Sequence, residues 1–137
     1  MTDCLFCRIV AGEIPAQIVY EDDRTIAFMD IAPATRGHCL VVPRAHTEDL
    51  LTADVEDVAA SIATAQELAR RAYEDLGAAG VNVLQSSGSA AWQSVFHLHF
   101  HVIPRYADDP LRLPWTHAEG DPAEIAAAAR QLRSSEG

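Results

Sequence analysis

Three histidines occupy alternate positions in the stretch His97-Leu98-His99-Phe100-His101. Successive side chains of an extended strand point to opposite faces, so this spacing predicts three imidazoles on one face and apolar side chains on the other. Imidazole is costly to bury without partners, which favours a functional row over a structural one. Two chemistries stay open. Alternate histidines can share a zinc ion, and a neutral imidazole can attack phosphorus to form a phosphohistidine that water hydrolyses.

A loop of small polar residues leads into these histidines. Residues 86–89, with the sequence SSGS, offer hydroxyls and unhindered backbone N–H groups, and both suit an anionic phosphate. Gln93 and Ser94 add polar side chains directly beside the row. An ordinary polar loop is the alternative interpretation of this stretch when it is taken alone.

Cys4 and Cys7 form a Cys-x-x-Cys pair, and Cys39 lies in an apolar run. An odd number of cysteines argues against a disulfide framework, and Cys39 is predicted to be a small buried apolar residue. The pair is either redox-active or half of a Cys₂His₂ zinc site whose other ligands come from distant segments. No thioredoxin-like pattern follows the pair, which weakens the redox hypothesis.

The composition narrows the classes of function. The formal net charge is −10, which disfavours a nucleic-acid surface. All ten basic residues are arginine, which removes P-loop and Schiff-base lysines. The sequence shows neither an apolar run of about 18 residues nor a signal-peptide pattern. We therefore expect one cytoplasmic domain over residues 1–137, with no nucleic-acid and no membrane partner.

Hydrophobic periodicity predicts an α+β fold, with an antiparallel five-stranded sheet, one long helix and a short C-terminal helix. Thr52 is the expected N-cap of the long helix and Gly77 its stop. The predicted strands cover residues 17–21, 24–29, 38–42, 81–85 and 94–103, and the predicted helices cover residues 53–76 and 122–133.

The segment His97–Ile103 follows the pattern His-φ-His-φ-His-φ-φ, and Gln93–Phe96 precedes it with Gln-Ser-Val-aromatic. With further segments in the same order, this pattern resembles the histidine triad (HIT) family over about residues 4–106, which leaves residues 107–137 as an extension. The resemblance is strongest to the nucleotide-binding, Hint-like branch, and within it to bacterial members with an N-terminal Cys-x-x-Cys. The further segments are residues 13–15, 20–23, 27–31 and 37–46.

The resemblance implies a HIT-like homodimer whose two sheets join, with a purine nucleotide or nucleoside phosphoramidate as substrate. It implies hydrolysis at the α-phosphate, of the adenosine 5′-monophosphoramidase type, through a nucleotidyl-histidine on His99. His101 would contact the phosphate, Ser94 and Gln93 would bind it or assist the leaving group, and Asp30 would accept the ribose hydroxyls. Ser86 would belong to the phosphate loop, and the base pocket would be lined by Leu5, Phe6, Ile9, Phe28 and Ile31.

Two of these assignments have simpler alternatives, and two positions depart from the family. Asp30 precedes the turn-prone sequence Ile-Ala-Pro and could cap that turn instead. The five apolar residues could be ordinary core. The family usually has Asn where Ser86 stands and Gly where Trp92 stands, which leaves rate and leaving-group preference open.

In related bacterial members a structural zinc ion is held by the cysteine pair and two histidines, which here correspond to Cys4, Cys7, His46 and His97. A zinc ion with four protein ligands has no open position for water. Without zinc, His46 and His97 would form a relay that orients His99. Rival hypotheses are a dinucleoside polyphosphate hydrolase, a non-catalytic nucleotide-binding regulator and a metallohydrolase that uses all three histidines.

Overall fold

A computed structural model describes residues 3–134, and its central element is a five-stranded antiparallel sheet in the order β1-β2-β3-β5-β4. The sheet and its helices confirm the predicted fold class. Among the described residues, no helix combines the length and the hydropathy that a membrane span requires. The strands are β1 (Ile18–Glu21), β2 (Thr25–Met29), β3 (Cys39–Pro43), β4 (Gly80–Gln85) and β5 (Phe100–Arg105), and the helices are α1 (Leu5–Val10), α2 (Val55–Leu76) and α3 (Pro122–Ser134).

The two faces of the sheet carry separate apolar clusters, because alternate residues of each strand point to opposite sides. One face packs against α2 and buries Cys39, as predicted, while the other packs against α1. The α2-side cluster comprises Ala27, Cys39, Val41, Ala65, Leu68, Leu98, Phe100 and Val102. The α1-side cluster comprises Phe6, Ile9, Ile26, Phe28, Leu40 and Val42.

The N-cap of helix α2 lies two residues later than predicted. Asp54, in extended conformation, is the N-cap, so the assignment of Thr52 was wrong. The Asp49 carboxylate accepts the N–H groups of Leu51 and Thr52 and holds them in a preceding turn. The predicted stop is confirmed, because Gly77 takes the left-handed conformation with φ 69°.

Helix α1 was not predicted, because six residues are too few for a periodic pattern. Its first turn is closed by the Cys4 sulfur, which accepts the Cys7 N–H at 3.3 Å, and it buries Phe6 and Ile9. The helix therefore covers one face of the sheet and carries the cysteine pair with it.

The fifth strand is shorter at its start than predicted. Its ladder begins at Phe100 and not at residue 94, because the Leu98 N–H donates to Thr47 O at 2.8 Å, outside the sheet. The alternation persists nevertheless, since Leu98 packs in the α2-side cluster with Phe100. The histidines between these apolar residues consequently face the α1 side.

The C-terminal helix α3 was predicted over residues 122–133, and the structure confirms it with one additional residue at its end. Pro122 is its first residue, and the Asp121 carboxylate accepts the Ala123 N–H at 3.2 Å. Its apolar side chains Ile125 and Leu132 are exposed in this chain. Residues 1–2 and 135–137 of the expected domain lie outside the described residues.

Candidate active site and metal cluster

A cavity of about 290 Å³ lies between α1 and the sheet, and the predicted nucleotide-binding residues converge on it. A larger concavity of about 430 Å³ lies between α2 and the opposite face of the sheet. The candidate site is therefore identified by the reactive side chains that line it and not by its volume. Ser86 and Gln93 are not among the residues that line the smaller cavity. The predicted residues that do line it are Leu5, Phe6, Ile9, Phe28, Asp30, Ile31, Ser94, His99 and His101.

Several lining residues were not assigned from the sequence. The chain between α1 and β1 contributes a wall, although its residues 13–15 were noted only as a family segment. Leu40 could have been inferred from strand alternation, since it pairs with Phe28 in the sheet. The added lining residues are Ile14, Pro15, Ala16, Met29, Leu40 and Val95.

The His99 ring is held in one tautomer. Its Nδ1 lies 2.8 Å from His97 O, and because a carbonyl only accepts, Nδ1 carries the proton and Nε2 the lone pair. The ring is buried and contacts the Phe6 ring edge-on, with centroids 5.1 Å apart. Burial lowers the pKa of His99, which keeps the imidazole neutral at pH 7. A neutral ring with an unprotonated Nε2 is equipped to act as a nucleophile.

His101 is fixed by a chain of hydrogen bonds that begins at a backbone amide. The Ala34 N–H donates to His38 Nδ1 at 2.9 Å, so the His38 proton lies on Nε2. This Nε2 donates to His101 Nδ1 at 2.9 Å and lies 3.4 Å from Asp30 Oδ2. The remaining proton of neutral His101 therefore lies on its own Nε2.

Burial is the main reason that the pKa of His101 falls to about 4, and the neighbouring rings of His99 and His38 lower it further. His38, whose pKa burial also lowers, was not among the predicted site residues. Asp30 caps the following turn, because its Oδ1 accepts the Ala32 N–H at 2.8 Å, and it lines the cavity as well. The turn-capping alternative is thus confirmed, and the ribose contact stays a prediction.

The predicted metal ligands meet at the N-terminus of α1. The ligand atoms of Cys4, Cys7, His46 and His97 all lie within 4.8 Å of one another. His97 Nδ1 lies 3.4 Å from the Cys4 sulfur and 3.5 Å from the Cys7 sulfur, and His46 Nδ1 lies 3.3 Å from the Cys7 sulfur. Zinc–ligand bonds in a tetrahedron place sulfur and nitrogen about 3.5 Å apart, so this donor set fits zinc.

His97 connects the group of four predicted metal ligands to His99, the histidine that could act on phosphorus. Its ring is fully buried, and Nε2 donates to Pro43 O at 2.8 Å, which leaves the unprotonated Nδ1 facing the two sulfurs. Burial lowers the pKa of His97, and this favours the neutral form that a metal requires. Its carbonyl accepts the His99 Nδ1–H, so one residue faces both centres.

The backbone conformation of Trp92 gives a geometric reason for the glycine that the family usually has at this position. It follows the 3₁₀ turn Ser89–Ala91 and takes the left-handed conformation, with φ 77° and ψ 18°. Glycine populates this region without strain, whereas a residue with a Cβ does not. Its indole is 65% exposed, so core packing does not offset that strain.

Comparison with known proteins gives matches over most of the chain. A HIT domain model matches residues 11–108. The chain is 36% identical over 132 residues to adenosine 5′-monophosphoramidase hnt1 of Schizosaccharomyces pombe, covering 96% of each chain. A HIT family protein from Bacillus subtilis superposes with a TM-score of 0.90 at 33% identity, covering 99% of each chain. A Zn-bound histidine triad family protein from Mycobacterium smegmatis superposes with a TM-score of 0.78 at 43% identity, covering 98% of each chain.

Proposed function

This chain belongs to the HIT domain family, and on that premise we propose that it is a nucleotide-binding hydrolase that cleaves nucleoside phosphoramidates through His99. The observation that carries the proposal is the His99 ring, buried at the cavity with Nδ1 bound to a carbonyl and Nε2 unprotonated. The activity of the fission-yeast relative, an adenosine 5′-monophosphoramidase, supports the same substrate class.

The proposed reaction has two displacement steps at one phosphorus atom. The His99 Nε2 lone pair attacks the α-phosphorus, the P–N bond breaks, and the amine leaves with a proton that exposed Ser94 relays from water. Water then adds to phosphorus, the bond to Nε2 breaks, and a nucleoside monophosphate and one proton are released. His101, whose Nε2 carries its proton, donates to a phosphate oxygen in both steps.

The cavity walls supply the rest of the recognition. The apolar side chains of Phe6, Ile9 and Phe28 line the cavity and offer a surface on which a purine base stacks or packs. Asp30 offers carboxylate oxygens to the two ribose hydroxyls. Leu5 and Ile31 are exposed at the rim, where a bound base would cover them.

We further propose that Cys4, Cys7, His46 and His97 hold a structural zinc ion. The sulfur–nitrogen separations and the Nδ1 lone pair of His97 support this assignment, as does the zinc reported for the mycobacterial neighbour. A zinc ion with four protein ligands supplies folding energy and no activated water. The cluster ties α1, which forms one wall of the cavity, to the segments that precede β5 and follow β3.

The homodimer is also a proposal, and the exposed strand β4 supports it. This strand forms one outer edge of the sheet, and its residues Val83 and Leu84 are 47% and 41% exposed. An open edge with apolar side chains is a template for pairing with another strand, so two copies would form one continuous sheet. Light scattering should give twice the mass of the 137-residue chain, and Val83→Lys with Leu84→Lys should lower it.

The test of the reaction is a rapid quench without acid after mixing with adenosine 5′-phosphoramidate, followed by peptide mass spectrometry. We expect AMP release and an AMP adduct on His99, and both should disappear in His99→Ala. The matched control is His117→Ala, because His117 is exposed in the C-terminal extension. Release that survives His99→Ala would overturn the nucleophile assignment. Bound nucleotide without release or adduct would indicate a regulator, and faster cleavage of a dinucleoside polyphosphate would change the substrate class.

A further inference from the structure

The side chain of Gln93 is committed to the protein itself. It is only 5% exposed, and its Oε1 accepts the Gly88 N–H at 2.7 Å. Its Nε2 donates to Glu48 O at 2.8 Å and to Val95 O at 3.1 Å. A primary amide has two donor hydrogens, and both are used here. Gln93 therefore has no donor left for a phosphate oxygen in this conformation.

A second anchor joins the same two segments. The Ser87 hydroxyl accepts the Leu50 N–H at 3.1 Å and donates to Gln85 Oε1 at 3.0 Å. Gln93 and Ser87 thus attach both ends of the loop at residues 86–93 to the segment Thr47–Leu50. This segment also touches the histidine row, because Thr47 O accepts the Leu98 N–H at 2.8 Å.

The segment Thr47–Leu50 directly follows His46, one of the four predicted metal ligands. His46, whose Nδ1 lies 3.3 Å from the Cys7 sulfur, is the residue before Thr47. The segment Thr47–Leu50 belongs to neither a helix nor a strand. Its position is therefore set by His46 at one end, by the Asp49 bonds to Leu51 and Thr52 at the other, and by the bonds to the loop and the histidine row.

We propose that Gln93 is a positioning residue that joins the loop at residues 86–93 to the segment Thr47–Leu50, so that metal binding at His46 fixes the position of this loop. Ser94, which lines the cavity with His99, is the next residue after Gln93. Displacement of Gln93 thus moves a wall of the site. The inference rests on the proposed zinc site, and it revises the direct phosphate contact that the resemblance implied for Gln93.

The loop needs outside support because its own backbone is strained. Trp92 has a φ of 77°, and the turn is closed by Trp92 N–H to Ser89 O at 3.0 Å and Gln93 N–H to Gly88 O at 3.1 Å. A non-glycine residue persists in this region only when the surroundings hold it. The Gln93 side chain at the end of this turn accepts the Gly88 N–H at its start and donates to Glu48 O outside it, which supplies that support.

Hydrogen exchange of the zinc-loaded, nucleotide-free protein tests the role of Gln93 without any dependence on catalysis. In Gln93→Leu we expect the amides of residues 86–93 to exchange about tenfold faster, since all three hydrogen bonds of the Gln93 side chain are lost. Gln66→Leu makes the same chemical change at an exposed position of α2 and should leave the loop unchanged. Should the leucine variant not fold, Gln93→Glu keeps the acceptor for Gly88 but removes both donors to the carbonyls, and the same acceleration is expected.

The metal arm of the experiment uses the wild-type chain before and after a chelator removes zinc. We expect exchange of residues 86–93 to rise while peptides of β2 and β3 stay protected, and removal of zinc from Gln93→Leu should add little. If Gln93→Leu weakens AMP binding while the loop of the nucleotide-free protein stays protected, Gln93 contacts the nucleotide and the inference is wrong. If amide exchange of residues 86–93 rises in Gln93→Leu but does not change when zinc is removed from the wild-type chain, the proposed coupling between the metal site and this loop is wrong.

Discussion

Replacement of Gly37 by alanine is the sharpest test of how the fold supports the site. Gly37 has a φ of 90° and lies directly before His38, the residue that orients His101. A Cβ added at Gly37 would overlap Leu76 Cδ1 at the end of α2 and lie 3.2 Å from Pro104 Cγ in β5. Two separate penalties follow, one from the backbone and one from packing.

The magnitudes of the two penalties can be assigned separately. An alanine in the left-handed region costs about 1–2 kcal/mol. An extra methyl group in a filled space costs about 1–3 kcal/mol, and less where a flexible side chain yields, as the Leu76 terminus can. We expect Gly37→Ala to lower the free energy of unfolding by about 2–4 kcal/mol.

Urea denaturation of a double-mutant cycle with Leu76→Ala separates these penalties. In the Leu76→Ala background the overlap with Leu76 is gone, so Gly37→Ala should cost less: the backbone part of about 1–2 kcal/mol, with the close approach to Pro104 Cγ as the packing part that remains. Equal costs in the two backgrounds would show that the packing argument is wrong. A cost below about 0.5 kcal/mol in the wild-type background would refute the backbone argument as well.

Three other outcomes follow from the geometry. Trp92→Gly should be more stable than Trp92→Ala by about 1 kcal/mol in thermal denaturation, because only glycine is unstrained at φ 77°; the reverse order would contradict the left-handed assignment. The pKa of His101 is lowered to about 4 in the folded chain, so the unfolded state binds this proton first and stability falls as pH drops from 6.5 towards 4. The slope contributed by His101 is at most about 1.4 kcal/mol per pH unit, and urea titrations should show it reduced in His101→Gln; equal slopes would exclude this contribution. Chelation of zinc should lower the melting temperature by several degrees and Cys7→Ser should do the same, whereas an unchanged melting temperature would argue against the metal site.

The sheet and the long helix could be predicted from the sequence because the residue patterns that indicate them are local. The alternation of Leu98, Phe100 and Val102 with histidines predicted the two faces correctly, even though the regular strand begins only at Phe100. Gly77 was predicted as the helix stop for a similar reason, since a left-handed C-terminal residue favours glycine.

Other features depend on contacts between distant segments and could not be predicted this way. The N-cap of α2 is Asp54 and not Thr52, because the Thr52 hydroxyl is engaged with the Asp49 carboxylate and is not directed at the first N–H groups of the helix. The tautomer of His101 depends on the Ala34 amide through His38, and no pattern of residue types contains that chain of bonds. The engagement of Gln93 with the Glu48 carbonyl is likewise invisible until the fold brings them together.

The division of β3 between two faces has a consequence for how this chain can change in length. Cys39 and Val41 face α2, while Leu40 and Val42 face α1, on the side of the cavity. Insertion of a single residue within the strand would reverse the faces of all residues on one side of the insertion, and a shift of the N-terminal side would turn His38 away from His101. Insertions or deletions compatible with the fold are therefore confined to the connecting loops, and β3 can evolve by substitution but not by a change in length.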